Sequence, residues 1–320
     1  MKLLKYLSVV GLALFLLILS STDLSRLLEL ISGADLRFLL IGLLFVALEV
    51  AVRSLNWMVL CEIYAKDYGY WSAFETYIIG IAFGAVTPGK VGDFIKIGDL
   101  SEKTGLSLTK AFAIGLLDRV INLVFLVAFA SFASGIIWYH MLGSHDIFVA
   151  VATAIVALTL LSIVALNERL SRALLKPLQY LLIPERFRKN TKEVFQAFHG
   201  VSSKFRLNSR MYAVLALTAL GWSVIFMRPY FLGRAIGVDV PLLSFLIFIP
   251  VISLVEVLPL SIMGLGTRDA TILLLFATVG VDRSRMVALS MLMLIISYAP
   301  QVILGYLVAL KHRVKVKTGD

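Results

Sequence analysis

TPGKVGDFIKIGD at Thr87–Asp99 and PLSIMGLGTRDAT at Pro259–Thr271 are polar, glycine-rich interruptions set within apolar sequence. Ionisable residues are costly to hold inside a bilayer, and where they occur they mark function by default. Each stretch combines helix-breaking glycine and proline with a basic and an acidic residue. That is how discontinuous transmembrane helices present backbone dipoles to a polar solute at mid-membrane. The expected fold is therefore all-α: a polytopic integral membrane protein with about 6–8 transmembrane helices and two re-entrant or broken helical elements. If the two breaks approach from opposite faces, they form inverted repeats.

Outward from these breaks the chain reads the same way. Of its 320 residues, 60% are hydrophobic and 16% charged, with a mean hydropathy of +0.93; soluble domains average roughly 45–50% apolar and about 25% charged. The apolar runs Leu3–Ser20, Leu36–Leu60, Ala111–Tyr139, Ile147–Leu166, Met211–Phe231, Leu242–Leu258 and Met286–Leu310 approach or pass the roughly 18–20 residues that cross a bilayer core. Two further runs, Ala73–Val86 and Ala270–Val281, adjoin the interruptions and are too short to span comfortably. Re-entrant halves would have that length. No separate soluble domain fits in what remains, so residues 1–320 read as a single transmembrane domain. Lys2 and Lys5 ahead of the first run resemble a signal peptide, but no small-residue cleavage pattern follows, and an uncleaved first helix is expected.

The net charge of +10 is concentrated in Asn167–Arg210 and in the tail, where Lys311, Arg313, Lys315 and Lys317 fall. Positive-inside bias and attraction to an anionic lipid surface account for that distribution, and no nucleic acid partner is expected. Leu170, Leu174, Leu175, Leu178, Leu181 and Leu182 make residues 167–210 a cytoplasmic basic amphipathic segment; a solvated positive loop is the plainer alternative. Both termini are expected in the cytoplasm of a multi-pass cell-membrane protein, with the cation-free His140–Asp146 loop outside. Parity then makes Ala73–Lys110 enter and leave from the cytoplasmic side and Leu242–Val281 from the other. A lone Cys61 excludes an intrachain disulfide, and four histidines form no Cys/His cluster at zinc spacing. No metal site and no cofactor are expected.

In the first interruption, Gly89 follows Pro88 to break the helix, Lys90 supplies a cation, and Gly92 lets the backbone approach closely ahead of Asp93 and Lys96. Exposed amides beside a lysine suit a phosphate; a cytoplasmic turn with a solvated lysine is the alternative. The spacing is not that of a Walker A loop. The second interruption offers Gly264, Gly266, Arg268 and Asp269 after Glu256. Arg268 either holds an anionic headgroup, with Glu256 or Asp269 as counter-charge or proton site, or forms a self-neutralising pair with Asp269. Two full spans add polar faces: Glu49 and Arg53 at i, i+4, in the order that favours an ion pair, with Asn56 beyond, and Asp118, Arg119 and Asn122. Bundle-stabilising pairs are the structural alternative for both sets. Arg228, beside Pro229, reads as an interfacial anchor.

These residues resemble the lysylphosphatidylglycerol synthase transmembrane region, the flippase-like or UPF0104 family, over nearly the whole chain. The specific part is the Y-x-x-G-x-x-F-G-x-x-T-P-G-K-x-G-D run from Tyr77 to Asp93, followed by Lys96. Arg53 and Asn56, the Asp118–Arg119 pair, and Glu256 to Pro259 leading into Gly264 and Gly266 support it. The resemblance implies lipid handling: such domains form the flippase half of multiple peptide resistance factors, and related domains occur beside polyprenol-linked glycosyltransferases. No soluble aminoacyltransferase domain is present, so lysyl-lipid synthesis is not implied. Arg268–Asp269 departs from the acidic residue expected after the glycines.

Taken together, the residues and the resemblance imply a non-enzymatic lipid transporter, a flippase or scramblase moving an anionic phospholipid or a polyprenyl-phosphate-linked glycolipid between leaflets. Lys90, Arg119 and Arg268 would bind the phosphate, with Arg53, Asn56 and the four glycines completing the substrate site. Asp93, Asp118, Glu256, Asp269 and Glu49 would supply counter-charge or gating. A glycosyltransferase or lipid-synthesis enzyme is a further expected partner. The rival readings are an integral-membrane glycosyltransferase or lipid phosphotransferase, and an accessory subunit of a glycosyltransferase.

Overall fold

The computed structural model describes residues 2–137, 185–257 and 261–311, and every regular element among them is a helix. Helix α1 (Lys2–Ser20) turns by 92° into the short α2 (Leu24–Ser32). Asp23 caps α2 by accepting from the Arg26 amide, and Asp35 caps the next helix by accepting from the Arg37 amide. Such caps satisfy amides that a helix start leaves without partners. The chain continues through α3 (Leu36–Glu62), α4 (Tyr70–Ala85), a 3-10 segment (Pro88–Phe94), α5 (Ile95–Thr104) and α6 (Leu108–Ile137). After α7 (Glu185–Arg206) come α8 (Arg210–Ala235), α9 (Leu242–Val257) and α10 (Thr267–Ala277). The last span runs through α11 (Arg283–Leu292), a π-helical stretch (Met293–Tyr298) and α12 (Ala299–Lys311).

Among the described residues, four helical stretches are long and apolar enough to cross a membrane: Leu36–Glu62, Leu108–Gly135, Arg210–Ala235 and Arg283–Lys311. The bent α1–α2 pair makes a fifth if it is one span, and α9 is a shorter apolar helix. The molecule is thus an all-α, polytopic membrane protein. The expected span Ile147–Leu166, the His140–Asp146 loop, the leucine face at 170–182, Pro259 and the tail beyond Lys311 lie outside the described residues.

Helices α3 and α8 form the closest pair, and their matched contacts make them antiparallel. Gly42 faces Leu232, Phe45 stacks near Phe231 at 5.0 Å, Asn56 donates to Thr218 and Gly221 abuts Arg53. Small residues on such seams let backbones close up where no hydrophobic drive separates lipid from protein. Gly305 of α12 packs the same way on α4, where a Cβ would lie 2.3 Å from the Ile78 carbonyl oxygen.

Both interruptions fold back as hairpins. In the first, Gly84 faces Asp93, Gly80 faces Asp93 and Lys96, Thr76 bonds Asp99, and Lys103 pairs with Glu75. That ladder runs the 3-10 segment and α5 antiparallel along α4. In the second, Gly264 packs against Glu256 while Phe276 lies 4.8 and 5.1 Å from Phe245 and Phe248, which sets α10 antiparallel to α9. The π-helical stretch in the last span precedes Pro300, which has no amide to donate and crowds the carbonyl four residues back. The wider π turn relieves that conflict.

Buried apolar residues gather in two clusters. One holds Trp57, Leu60, Ile114, Leu117 and Ile121 with Phe198 and Phe205 of α7. The other holds Leu126, Phe226, Phe245, Phe276 and Leu289. Along α6, the polar residues Asp118, Arg119 and Asn122 fall where one cluster gives way to the other.

Candidate functional site

A cavity of about 300 Å³ opens between the two apolar clusters. The two interruptions meet at it. Lys90, Asp93 and Lys96 reach it from the first, Met263 from the second, and Glu256 and Val257 from the helix leading into the second. Spans α3, α6 and α8 contribute Glu49, Arg53, Asn56, Asp118, Arg119, Asn122 and Arg228, and the last span contributes Tyr298 and Gln301.

Its local geometry begins with the 3-10 segment. Thr87 accepts the Gly92 amide at 2.7 Å, tightening the turn, and a Cβ on Gly92 would sit 2.1 Å from the Phe83 carbonyl oxygen. Only glycine fits there. Lys90 takes a left-handed backbone conformation, φ 55°, a region that non-glycine residues rarely enter and that clusters at functional sites. That turn sends its side chain across the molecule: Nζ donates to Glu256 Oε1 at 3.0 Å. Its carbonyl accepts from Arg119 Nη2 at 3.0 Å. One residue therefore ties the first break to α9 and to α6.

The remaining charges interlock. Lys96, 2% exposed, sits between Asp93 at 3.2 Å and Asp118 at 2.9 Å, with its ammonium 4.4 Å from the Trp57 ring centroid. Arg119 pairs with Asp93 and Arg228 with Glu49, which also receives a weak 3.5 Å contact from Gln301. Tyr298 donates to Glu256 beside Lys90. Buried charges persist only when paired and hydrogen-bonded, and this network meets that condition for Lys96 and Arg228, while the partly exposed Lys90 and Arg119 are paired as well. Arg53 differs: Nη1 donates to Asn122 and the guanidinium lies 4.7 Å from the Trp222 ring centroid, with no carboxylate partner among the described residues. Asn122 in turn donates to Asp118 Oδ1 at 3.1 Å.

Several expectations change here. The i, i+4 ion pair of Glu49 with Arg53 does not form, because Arg228 on the neighbouring helix takes the carboxylate. Arg228 is 4% exposed and lines the cavity, so it is not an interfacial anchor. Arg268 does not reach the cavity. It is fully buried, donates to Asp269 Oδ1 and Ser290 Oγ at 3.0 Å each, and leaves the second break with its self-neutralising pair. Asp269 also accepts the Gly266 amide at 2.7 Å and so caps α10. The glycines of this break serve close packing: at Gly264, φ 72°, a Cβ would lie 2.8 Å from Glu256 Cγ, and at Gly266, φ 83°, 2.1 Å from the Gly11 carbonyl oxygen. Gly89 lies in the 3-10 turn beside Lys90. Among the described residues, no three His, Cys, Asp or Glu side chains gather as a metal site would require.

Residues that sequence reasoning did not place at the site include Tyr77, Trp222, Tyr298 and Gln301. Tyr298 and Gln301 flank Pro300, and a proline within a long apolar run was the available signal.

The comparisons with known proteins agree with this architecture. The family model for the lysylphosphatidylglycerol synthase TM region matches residues 4–305. A UPF0104 membrane protein of Pyrococcus horikoshii is 23% identical over 97% of each chain, and one of Methanothermobacter thermautotrophicus is 24% identical over 91% of this chain and 89% of the relative. With its apolar spans, paired breaks and a family match across nearly its whole length, the chain belongs to the lysylphosphatidylglycerol synthase transmembrane family.

Proposed function

We propose that this membrane protein moves a lipid with an anionic headgroup between leaflets, as a flippase or scramblase rather than an enzyme. One observation carries the reading: a cavity of about 300 Å³ lined by both helix breaks and set among apolar spans, with Lys90 joined across it to Glu256. A headgroup of phosphodiester size fits such a space, while acyl or polyprenyl chains can remain in the surrounding lipid. Ion pairs that bridge separate elements can open and re-form, and alternating access asks for that. The proposed orientation places residues 63–69 and 105–107 at the cytoplasmic face of a cell membrane, following the positive-inside rule. A lipid-synthesis enzyme or glycosyltransferase would supply the substrate.

The test is translocation of fluorescent phosphatidylglycerol in vesicles containing the purified protein. Lys90→Gly is the informative variant, because glycine keeps the left-handed backbone without strain while removing the side chain that carries the ammonium. The expected result is a loss of most translocation with the fold intact. Wild-type rates in Lys90→Gly would remove Lys90 from the mechanism, and no lipid movement by the wild type would overturn the proposal.

A further inference from the structure

The charges around the cavity do not cancel. Lys90, Lys96, Arg119, Arg228 and Arg53 are cationic, and Glu256, Asp93, Asp118 and Glu49 are anionic. Among the described residues that is five against four, a surplus of one positive charge. The surplus has an address. Lys90 is held by Glu256, Lys96 by Asp93 and Asp118, Arg119 by Asp93, and Arg228 by Glu49. Only Arg53, among these five, is held by a neutral side chain, Asn122, and by the face of Trp222.

Resting on the transport reading above, we propose that Arg53 is the substrate's anion-binding residue and that the cavity selects a headgroup carrying a single net negative charge, as an uncharged-headgroup phosphodiester does. A buried cation without a counter-charge is unfavourable until an anion arrives. Arg53 is prepared for one. The Trp222 ring holds the guanidinium over its face at 4.7 Å, Asn122 takes one nitrogen without neutralising it, and a planar guanidinium suits phosphate oxygens better than an ammonium does. Asn122 also hydrogen-bonds Asp118, which keeps that carboxylate on Lys96 and away from Arg53. A dianionic phosphomonoester would leave one negative charge unmatched, and a zwitterionic headgroup would bring a cation to a site that already has its surplus.

The experiment compares three probe lipids, phosphatidylglycerol, phosphatidylcholine and dianionic phosphatidic acid at alkaline pH, by native mass spectrometry of lipid retained on the purified protein and by translocation in vesicles. The wild type should retain phosphatidylglycerol over both others. Arg53→Gln should lose about tenfold or more of that retention, the size of one charge-assisted hydrogen bond, and Arg53→Lys should recover part of it. Glu49→Gln frees Arg228 and raises the surplus to two, so preference should shift toward phosphatidic acid. If Arg53→Gln retains phosphatidylglycerol like the wild type, or if neither substitution alters headgroup preference, the assignment is overturned. Charge-selective retention without any translocation would instead overturn the transport reading and leave Arg53 as the anion site.

Discussion

Arg268 illustrates how an ionisable residue beside a helix break can be structural. Its guanidinium is enclosed with Asp269 and Ser290, and its carboxylate partner also caps α10. Removing one member of a buried pair typically costs about 3–5 kcal/mol, because the other charge is left uncompensated. Arg268→Ala should therefore lower thermal stability by an amount of that order, and the Arg268→Ala, Asp269→Ala double variant should lose less than the sum of the two single changes. Additive losses in a thermal unfolding series would show that the two side chains do not act as a pair. Sequence reading placed seven of the charged cavity residues near function, namely Glu49, Arg53, Lys90, Asp93, Asp118, Arg119 and Glu256. What it could not supply was who pairs with whom. Local rules assign Glu49 to Arg53 on the same helix, yet the carboxylate turns to Arg228, 179 residues away in sequence. Helical spacing describes an isolated helix, and inside a bundle a partner on the adjacent helix competes.

At the level of the element, the two breaks were legible because glycine, proline, a basic and an acidic residue fall together inside apolar sequence. Their hairpin form was less so. Both short runs lie against a neighbour through contacts that periodicity does not encode, such as Gly80 and Gly84 on Asp93 or Phe248 on Phe276. The first hairpin depends on close backbone approach, so Gly92→Ala should disrupt it: the added methyl meets the Phe83 carbonyl, which is backbone and cannot swing aside. Lys90 and Asp93 would then be displaced together. Gly98→Ala in the same hairpin, where a Cβ meets nothing within 4 Å, is the matched control. Translocation and thermal stability should both fall in Gly92→Ala and stay near wild type in Gly98→Ala; equal behaviour of the two would show that the turn tolerates the methyl.

At the scale of the whole molecule, the described residues form two apolar clusters with a polar layer between them, and the side of the membrane on which each described loop lies follows from how the helices pair. The Asp35 amide donates to the Ala235 carbonyl at 2.8 Å, which puts the start of α3 and the end of α8 at one face and residues 63–69 at the other. Cysteines replacing Lys66 and Asp239, in a Cys61→Ala background, should react with membrane-impermeant maleimide from opposite sides, Lys66→Cys from the cytoplasm. Labelling of both from one side would break the antiparallel frame. The last span joins the two regions and carries a consequence of its π-helical stretch. Successive α-helical residues are set about 100° apart, so the one extra residue in a wide turn advances the helix by roughly that angle. Upstream of Met293 the span presents Met286, Leu289 and Leu292 to one cluster, and downstream it presents Gly305 to α4. The two faces are thus out of phase, like gear wheels keyed to one shaft at different angles, with Tyr298 and Gln301 at the step between them. Shortening the stretch by one residue would bring the two faces into α-helical phase at the cost of renewing the conflict at Pro300, and it could keep only one of the two wheels engaged.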